Sequence, residues 1–434
     1  MYSEEIDQPG YRLILACIHC GFCLQICPTY RALGMEPDSP RGRLYLIRAM
    51  AEHKSRMTVD SVEHIYRCVV CRGCETACPS GVKFGYIMDL ARAQLIRNHG
   101  LPLRSIVTMN VGSNALVTHL SLLKIISTFV RACQKIGLTN LVKHAPETLS
   151  RFDFLIPPYS GRVYYPEIPE IVPPMGDKKC RVGFLHGCLM EASFPWTNRA
   201  MIRVLAANGC EVVTPREQNC CGAAALHEGM RETAKKLARV NIEAFERAQI
   251  DYLVASAAGC AATLEMYGEI LKNDPEYSKR AEALSQKVRD VSELLLEIGM
   301  NTRLGKLNAV VTYHDSCALA HAQGVTQQPR RILNSIPGVR LVEMKDPDLC
   351  CGAGGLNWLT QPDITIETLR MKLKNAAATG ASFVVVANLP CYFNFARGVR
   401  RFALKMKPVH LVELLDESYK NGGRYSVKAV SDIP

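Results

Sequence analysis

The chain has 434 residues, 48% of them hydrophobic, a net charge of +11 and 19 cysteines, enough for about two to four domains with ordinary cores. No apolar run reaches the roughly 18 residues of a membrane span, and the N-terminus MYSEEIDQPG lacks the apolar centre of a secretory signal. The expectation is a cytoplasmic protein, at most peripheral on the inner face of a membrane, whose cysteines bind metal rather than form disulfides.

The first 80 residues hold two copies of one spacing. CIHCGFCLQICP carries Cys17, Cys20, Cys23 and Cys27, and CVVCRGCETACP carries Cys68, Cys71, Cys74 and Cys78. Each is C-x2-C-x2-C-x3-C-P, the run that wraps a 4Fe–4S cluster in bacterial-type ferredoxins, where the fourth cysteine of each run ligates the other cluster. Crossed ligation predicts one 4Fe–4S cluster on Cys17, Cys20, Cys23 and Cys78, and a second on Cys27, Cys68, Cys71 and Cys74. Zinc prefers two separated C-x2-C pairs and fits this spacing poorly. Residues 44–51 and 62–67 read as helices between the runs. His19 lies between two ligands, where packing or a local hydrogen bond suits it better than ligation.

Residues 101–150 read as helical and amphipathic. The apolar stretch 115–130 is broken by His119 and Lys124, which suits packing or an interface rather than a span. Between Leu90 and Phe152 there are eight Lys or Arg and one acid, Glu147. Arg397, Arg400, Arg401, Lys405 and Lys407 form a second basic cluster. Such charge suits an acidic partner or anionic lipid, or is a solvated face. No nucleic-acid-binding signature accompanies it. Pro157, Pro158, Pro166, Pro169, Pro173 and Pro174 make residues 151–178 an extended linker.

The remainder is an internal repeat. Cys188, Cys220-Cys221-Gly222 and Cys260 recur as Cys317, Cys350-Cys351-Gly352 and Cys391, with offsets of 129, 130 and 131 residues. Helical patterns follow each CCG at 230–248 and 363–378. Strand candidates at 182–185, 252–255, 309–313 and 383–387 each end just before a lone cysteine. Strands alternating with helices predict parallel sheets, whose C-terminal ends present ligands. Two similar α/β lobes facing each other are expected.

Each lobe offers four thiols: Cys188, Cys220, Cys221 and Cys260, then Cys317, Cys350, Cys351 and Cys391. Adjacent cysteines fit a multi-iron cluster better than one tetrahedral zinc, though soft thiolates suit both metals, and an empty site stays open too. Gly222 and Gly352 would allow the tight turn. His186 and His314 stand in equivalent places and could donate to a cluster sulfur. Cys133, Cys180 and Cys210 have no partner at a useful spacing and read as small buried residues. Asp315, His321 and Gln323 are polar candidates for a substrate or quinone, without a motif.

The expected fold is thus multidomain, α and α/β: a helical two-cluster ferredoxin domain (1–100), a basic helical segment and linker (101–178), and two CCG cysteine-rich domains (179–305 and 306–434). This order, with ACIHCGFCLQICPTYRALG, SPRGRLYLI, CVVCRGCETACPSGVKF, CCGAAALHEG, AAGCAATLEMYG and CCGAGG, resembles the iron–sulfur subunit of glycolate oxidase over nearly the whole chain. The same architecture occurs in the iron–sulfur subunit of anaerobic glycerol-3-phosphate dehydrogenase and in heterodisulfide-reductase-like proteins, which are the alternatives. Lactate-utilisation proteins share the CCG lobes but lack the N-terminal runs. In heterodisulfide reductases each CCG lobe ends in C-x2-C; here Thr263 and Asn394 stand at the last position, which argues against a double-cube cluster and disulfide reduction. The resemblance implies an oxidoreductase subunit with no catalytic residue of its own. FAD would sit on a flavoprotein partner that oxidises glycolate or a related 2-hydroxy acid. This chain would pass electrons toward the quinone pool. No G-x-G-x-x-G follows a strand, so no flavin or nicotinamide site is expected here.

Overall fold

The computed structural model describes residues 11–56, 58–99, 120–138, 161–355, 357–423 and 425. Most of the 101–150 helical reading lies outside these residues, as do His119, Glu147, Pro157 and Pro158.

Residues 11–99 are helical. Helix Pro40–Ala51 begins earlier than periodicity alone suggests, because SPRGR writes its N-terminus. Ser39 caps it by accepting from Gly42 N at 3.0 Å, and Pro40 takes the first turn, where its missing N–H is harmless. Gly42 must be glycine: a Cβ there would lie 2.0 Å from Glu36 O. Helix Val59–Tyr66 likewise starts early, at a capping box between Thr58 and Ser61. Ile14, Leu44, Ile47, Ile65, Phe84, Ile87 and Met88 form the core between these helices and Phe84–His99. Arg43 is buried with Asp38. Its guanidinium donates to Asp38 Oδ1 at 3.3 Å, Asp38 O at 2.6 Å and His64 O at 2.7 Å, which satisfies both charges out of water.

Helix Leu120–Lys135 is pinned to the next domain by Arg131, which donates to Ala192 O at 2.7 Å and Val163 O at 2.8 Å. Its opposite face leaves Ile125 and Phe129 exposed, so the helix packs along one side only.

Two four-stranded sheets follow. The first has the order β1-β3-β2-β4, from β1 (Ile171–Val172), β2 (Cys180–Leu185), β3 (Cys210–Val213) and β4 (Tyr252–Ala255). The second has the order β6-β5-β7-β8, from β5 (Ala309–Tyr313), β6 (Val339–Leu341), β7 (Phe383–Val386) and β8 (Lys407–His410). All pairings are parallel except β1 with β3. That antiparallel edge is a difference from the sequence reading: the linker's end is drawn into the first sheet.

The lobes share one core. Val182, Phe184 and Val212 of the first pack in the same apolar cluster as Val311, Tyr313 and Val385 of the second. Each lobe lends its last helix to the other: Leu411–Asn421 packs on Pro195–Ala207, and Val291–Glu297 on Gln327–Ser335. Arg203 and Asp416 close one of these joints with a bidentate pair at 2.9 Å. In the C-terminal basic cluster, Arg397 is buried rather than displayed.

Candidate metal centres

In the N-terminal unit, the two cysteine runs bend the same way. His19 and Gly21 in the first, and Val70 and Arg72 in the second, stand at matching positions and all have left-handed backbone, with φ of +56°, +88°, +48° and +61°. A β-branched residue such as Val70 is costly there. These turns bend the chain between the first three cysteines of each run. His19 therefore serves through its backbone. Arg41 fastens this turn by donating to His19 O at 3.1 Å while its Nε donates to Glu36 at 2.6 Å.

Cys17, Cys20, Cys23 and Cys78 line one cavity of about 420 Å³ including its open mouth, with Cys74, Pro40, Arg41, Leu44 and Phe84 on its walls. Cys20 is exposed at that mouth. Cys27, Cys68 and Cys74 are buried, with Cys71 partly so. Burial pushes the Cys74 thiol well up, and nearby Cys71, Cys68 and Cys27 push it the same way. Burial also pushes Cys23 up to about 11. Thiols of the two runs thus mix: Cys74 and Cys78 of the second run stand beside the first run's cavity, and Cys27 of the first lies near Cys74.

In the lobes, the four lone cysteines sit just past the ends of β2, β4, β5 and β7, where parallel sheets present ligands. In lobe 1, Cys188 Sγ is 3.5 Å from Cys220 Sγ, and Cys221 is hydrogen-bonded to both Cys220 and Cys260. In lobe 2, Cys351 Sγ is 3.4 Å from Cys391 Sγ, and Cys350 is hydrogen-bonded to Cys317 and Cys351. Gly222 and Gly352 follow each pair with φ of +88° and +87° and donate N–H to Cys220 Sγ and Cys350 Sγ at 3.4 and 3.3 Å. Accepting S–H from neighbours pulls Cys220 and Cys351 well down, while their donors go up.

Each of these sixteen cysteines is a free thiol. Buried sets of soft donors, whose protons a metal would replace, fit iron–sulfur clusters. The residues at the missing fifth positions are committed elsewhere. Thr263 Oγ1 donates back to Gly259 O at 2.9 Å, and Asn394 Nδ2 to Cys351 O at 2.7 Å.

Several functional contacts were invisible in the sequence. The second run lies against lobe 2: the Cys71 thiol is hydrogen-bonded to Cys350, and a Cβ on Gly354 would meet Val69 O at 2.0 Å. Asn357 donates to Arg67 O at 2.9 Å. Arg92 donates to Cys68 O at 2.6 Å and to His227 O of lobe 1 at 2.5 Å. Only the double glycine of CCGAGG hinted at such a close approach.

His321 and Gln323 belong to joints, and Asp315 to an ion pair within lobe 2. His321 meets Thr76 at 3.0 Å, Gln323 donates to Ala258 O of lobe 1 at 3.0 Å, and Asp315 pairs with Arg330 at 2.8 Å. Cys180 and Cys210 are buried as expected but do have partners. They face each other in register on β2 and β3 with Sγ atoms 3.6 Å apart.

Residues 14–82 match the family model of a 4Fe-4S dicluster domain, and residues 182–265 and 311–396 each match that of a cysteine-rich domain. The chain is 36% identical over 428 residues to a probable glycolate oxidase iron-sulfur subunit of Bacillus subtilis, covering 96% of both chains. It is 32% identical over 425 residues to the glycolate oxidase iron-sulfur subunit of Escherichia coli, covering 96% of this chain and 98% of that one. Lactate utilization protein A of an Exiguobacterium species is 30% identical over 234 residues, covering 54% of this chain and 96% of that one.

Proposed function

The chain belongs to the family of glycolate oxidase iron–sulfur subunits, and from that premise we propose that it is the electron-carrying subunit of a glycolate, or 2-hydroxy-acid, dehydrogenase complex. It takes electrons from a flavoprotein partner and delivers them toward the quinone pool. One observation carries this reading: thiols of both runs come together, with Cys17, Cys20 and Cys23 sharing a cavity with Cys74 and Cys78 and Cys27 lying near Cys74 with Cys68 and Cys71. We assign Cys17, Cys20, Cys23 and Cys78 to one 4Fe–4S cluster and Cys27, Cys68, Cys71 and Cys74 to a second. The lobe sets, Cys188, Cys220, Cys221, Cys260 and Cys317, Cys350, Cys351, Cys391, are assigned to further iron–sulfur sites. Such clusters accept and release single electrons, so the two electrons of a 2-hydroxy-acid oxidation at a partner's FAD can be passed on one at a time.

The chain's own residues hold and insulate. Left-handed turns at His19, Gly21, Val70 and Arg72 aim the thiols. Ile65, Phe84 and Met88 keep water from them. Cys20 lies at a surface rimmed by exposed Ile18, Phe22 and Tyr45, an apolar face suited to the flavoprotein subunit. The contact of Cys71 with Cys350 supports lobe 2 as the inner end. Among the described residues no helix is long and apolar enough to cross a membrane. A cytoplasmic protein in peripheral contact with the membrane fits this and the basic stretch after residue 90.

The test is turnover. The purified chain alone, given glycolate and a quinone analogue, should form no glyoxylate; adding the flavoprotein subunits should start the reaction. Glycolate oxidation by the lone chain would overturn the reading.

A further inference from the structure

The two lobes are alike in sequence pattern but not at their thiols. His186 and His314 occupy equivalent places, one residue past β2 and β5. In lobe 1, His186 Nδ1 faces Gly187 O at 3.3 Å. In lobe 2, His314 is 0% exposed; its ring meets the Cys351 thiol, and among the described residues no nitrogen or oxygen atom partners either ring nitrogen. A His314 ring nitrogen, Cys351 Sγ and Cys391 Sγ all lie within 4.8 Å of one another, the one such group of metal-binding atoms among the described residues.

A buried histidine stacked in the core would be the plain explanation, and the ring does lie 5.0 Å from that of Phe395. Packing, however, leaves the ring with only the Cys351 thiol as a polar neighbour, and a buried nitrogen without a partner is rare in native proteins. A lone pair donated to a metal beside Cys351 would give one of the two nitrogens a partner. Asn394, which stands where a fifth thiol would close the set, is turned to Cys351 O instead, so the fifth donor position is left to another side chain.

We propose that lobe 2 holds an iron–sulfur centre with His314 as a nitrogen ligand alongside Cys317, Cys350, Cys351 and Cys391, and that lobe 1 has no histidine ligand. The inference rests on the reading of the lobes as iron–sulfur sites. His314 supplies what the chain lacks at Asn394. His314 lies on the Cys351 side of the pair Cys350-Cys351 and Cys71 of the N-terminal unit on the Cys350 side, so the two adjacent thiols would serve different parts of such a centre.

The experiment uses the full chain, purified anaerobically with 15N-labelled histidine, and reads nitrogen hyperfine coupling by pulsed EPR together with metal content. The expected result is a directly coordinated nitrogen in wild type and in His186→Ala. It should be lost in His314→Ala, with less iron per chain, while His314→Cys restores the iron without the nitrogen coupling. If His314→Ala fails to fold, the wild-type coupling and His314→Cys still decide. Iron in lobe 2, sensitive to Cys351→Ser, without any nitrogen coupling would overturn the histidine ligand and leave the iron–sulfur reading standing. Zinc in lobe 2, or iron content indifferent to Cys351→Ser, would overturn both.

Discussion

Replacing Gly354 with alanine tests how the N-terminal unit is seated on lobe 2. The added Cβ would stand 2.0 Å from Val69 O and 3.0 Å from Val69 C, whereas real contacts essentially never fall under 3.0 Å. Gly354 does not have a positive φ, so the alanine itself is unstrained and the effect comes from the contact. The obstacle is backbone between Cys68 and the strained Val70, which cannot swing aside as a side-chain tip would. The two surfaces must separate by at least about 1 Å, an overpacking cost of about 1–3 kcal/mol. That separation loosens the Cys71–Cys350 contact and the Asn357 bond to Arg67 O. Thermal unfolding and limited proteolysis of the loaded protein, with iron content alongside, read the outcome. The expected result is a lower melting temperature and faster overall cleavage, with the N-terminal iron retained. A variant that melts with wild type and resists protease equally would refute the close approach.

Two further perturbations are quantitative. Arg203→Met strips a cation from Asp416 across the lobe joint. Orphaning a buried charge costs about 3–5 kcal/mol, but Lys420 at 2.6 Å and Tyr425 at 2.7 Å still reach Asp416, so about 2–3 kcal/mol is expected in denaturant unfolding. Adding Asp416→Leu should recover most of it, and equal single and double mutants would contradict this. Glu265 has its carboxyl raised to about 7, first by burial and then by Glu293. Below pH ~4.5 folded and unfolded states are both protonated; as pH rises to 7 the unfolded chain ionises more readily, and stability is lost. Glu265→Gln should therefore be more stable than wild type at pH 8, by about 1–2 kcal/mol after allowing for its partial exposure, with no advantage at pH 4. The same difference at both pH values would sink the assignment.

Much of this was legible because it is local. The eight N-terminal cysteines, the CCG repeat and the long helices 231–247 and 362–377 depend on spacing and periodicity that neighbouring residues dictate. The strands Cys210–Val213, Val339–Leu341 and Lys407–His410 are too short for a period to declare itself, and unlike Tyr252–Ala255 and Phe383–Val386 they have no lone cysteine after them to mark their ends. Side-chain direction was also hidden. His186 and His314 are equivalent in sequence, yet packing turns one to a carbonyl and the other to thiols. Nothing in the sequence marks Arg43 and Asp38 for burial, yet they are 1% and 0% exposed, because each neutralises the other. The meeting of Cys71 with Cys350, 279 residues apart, is set by how finished domains dock.

The central claim is that two cysteine runs share two clusters by exchanging their fourth thiols. Iron and acid-labile sulfide analysis with EPR of the reduced, anaerobically purified chain tests it most directly when wild type is compared with Cys27→Ser and Cys78→Ser. The account predicts at least about eight irons per wild-type chain, from two 4Fe–4S sites. Cys78→Ser should alter the signal of the cluster on Cys17, Cys20 and Cys23, and Cys27→Ser that of the cluster on Cys68, Cys71 and Cys74. Zinc in place of iron, or each variant disturbing the cluster of its own run instead, would contradict it.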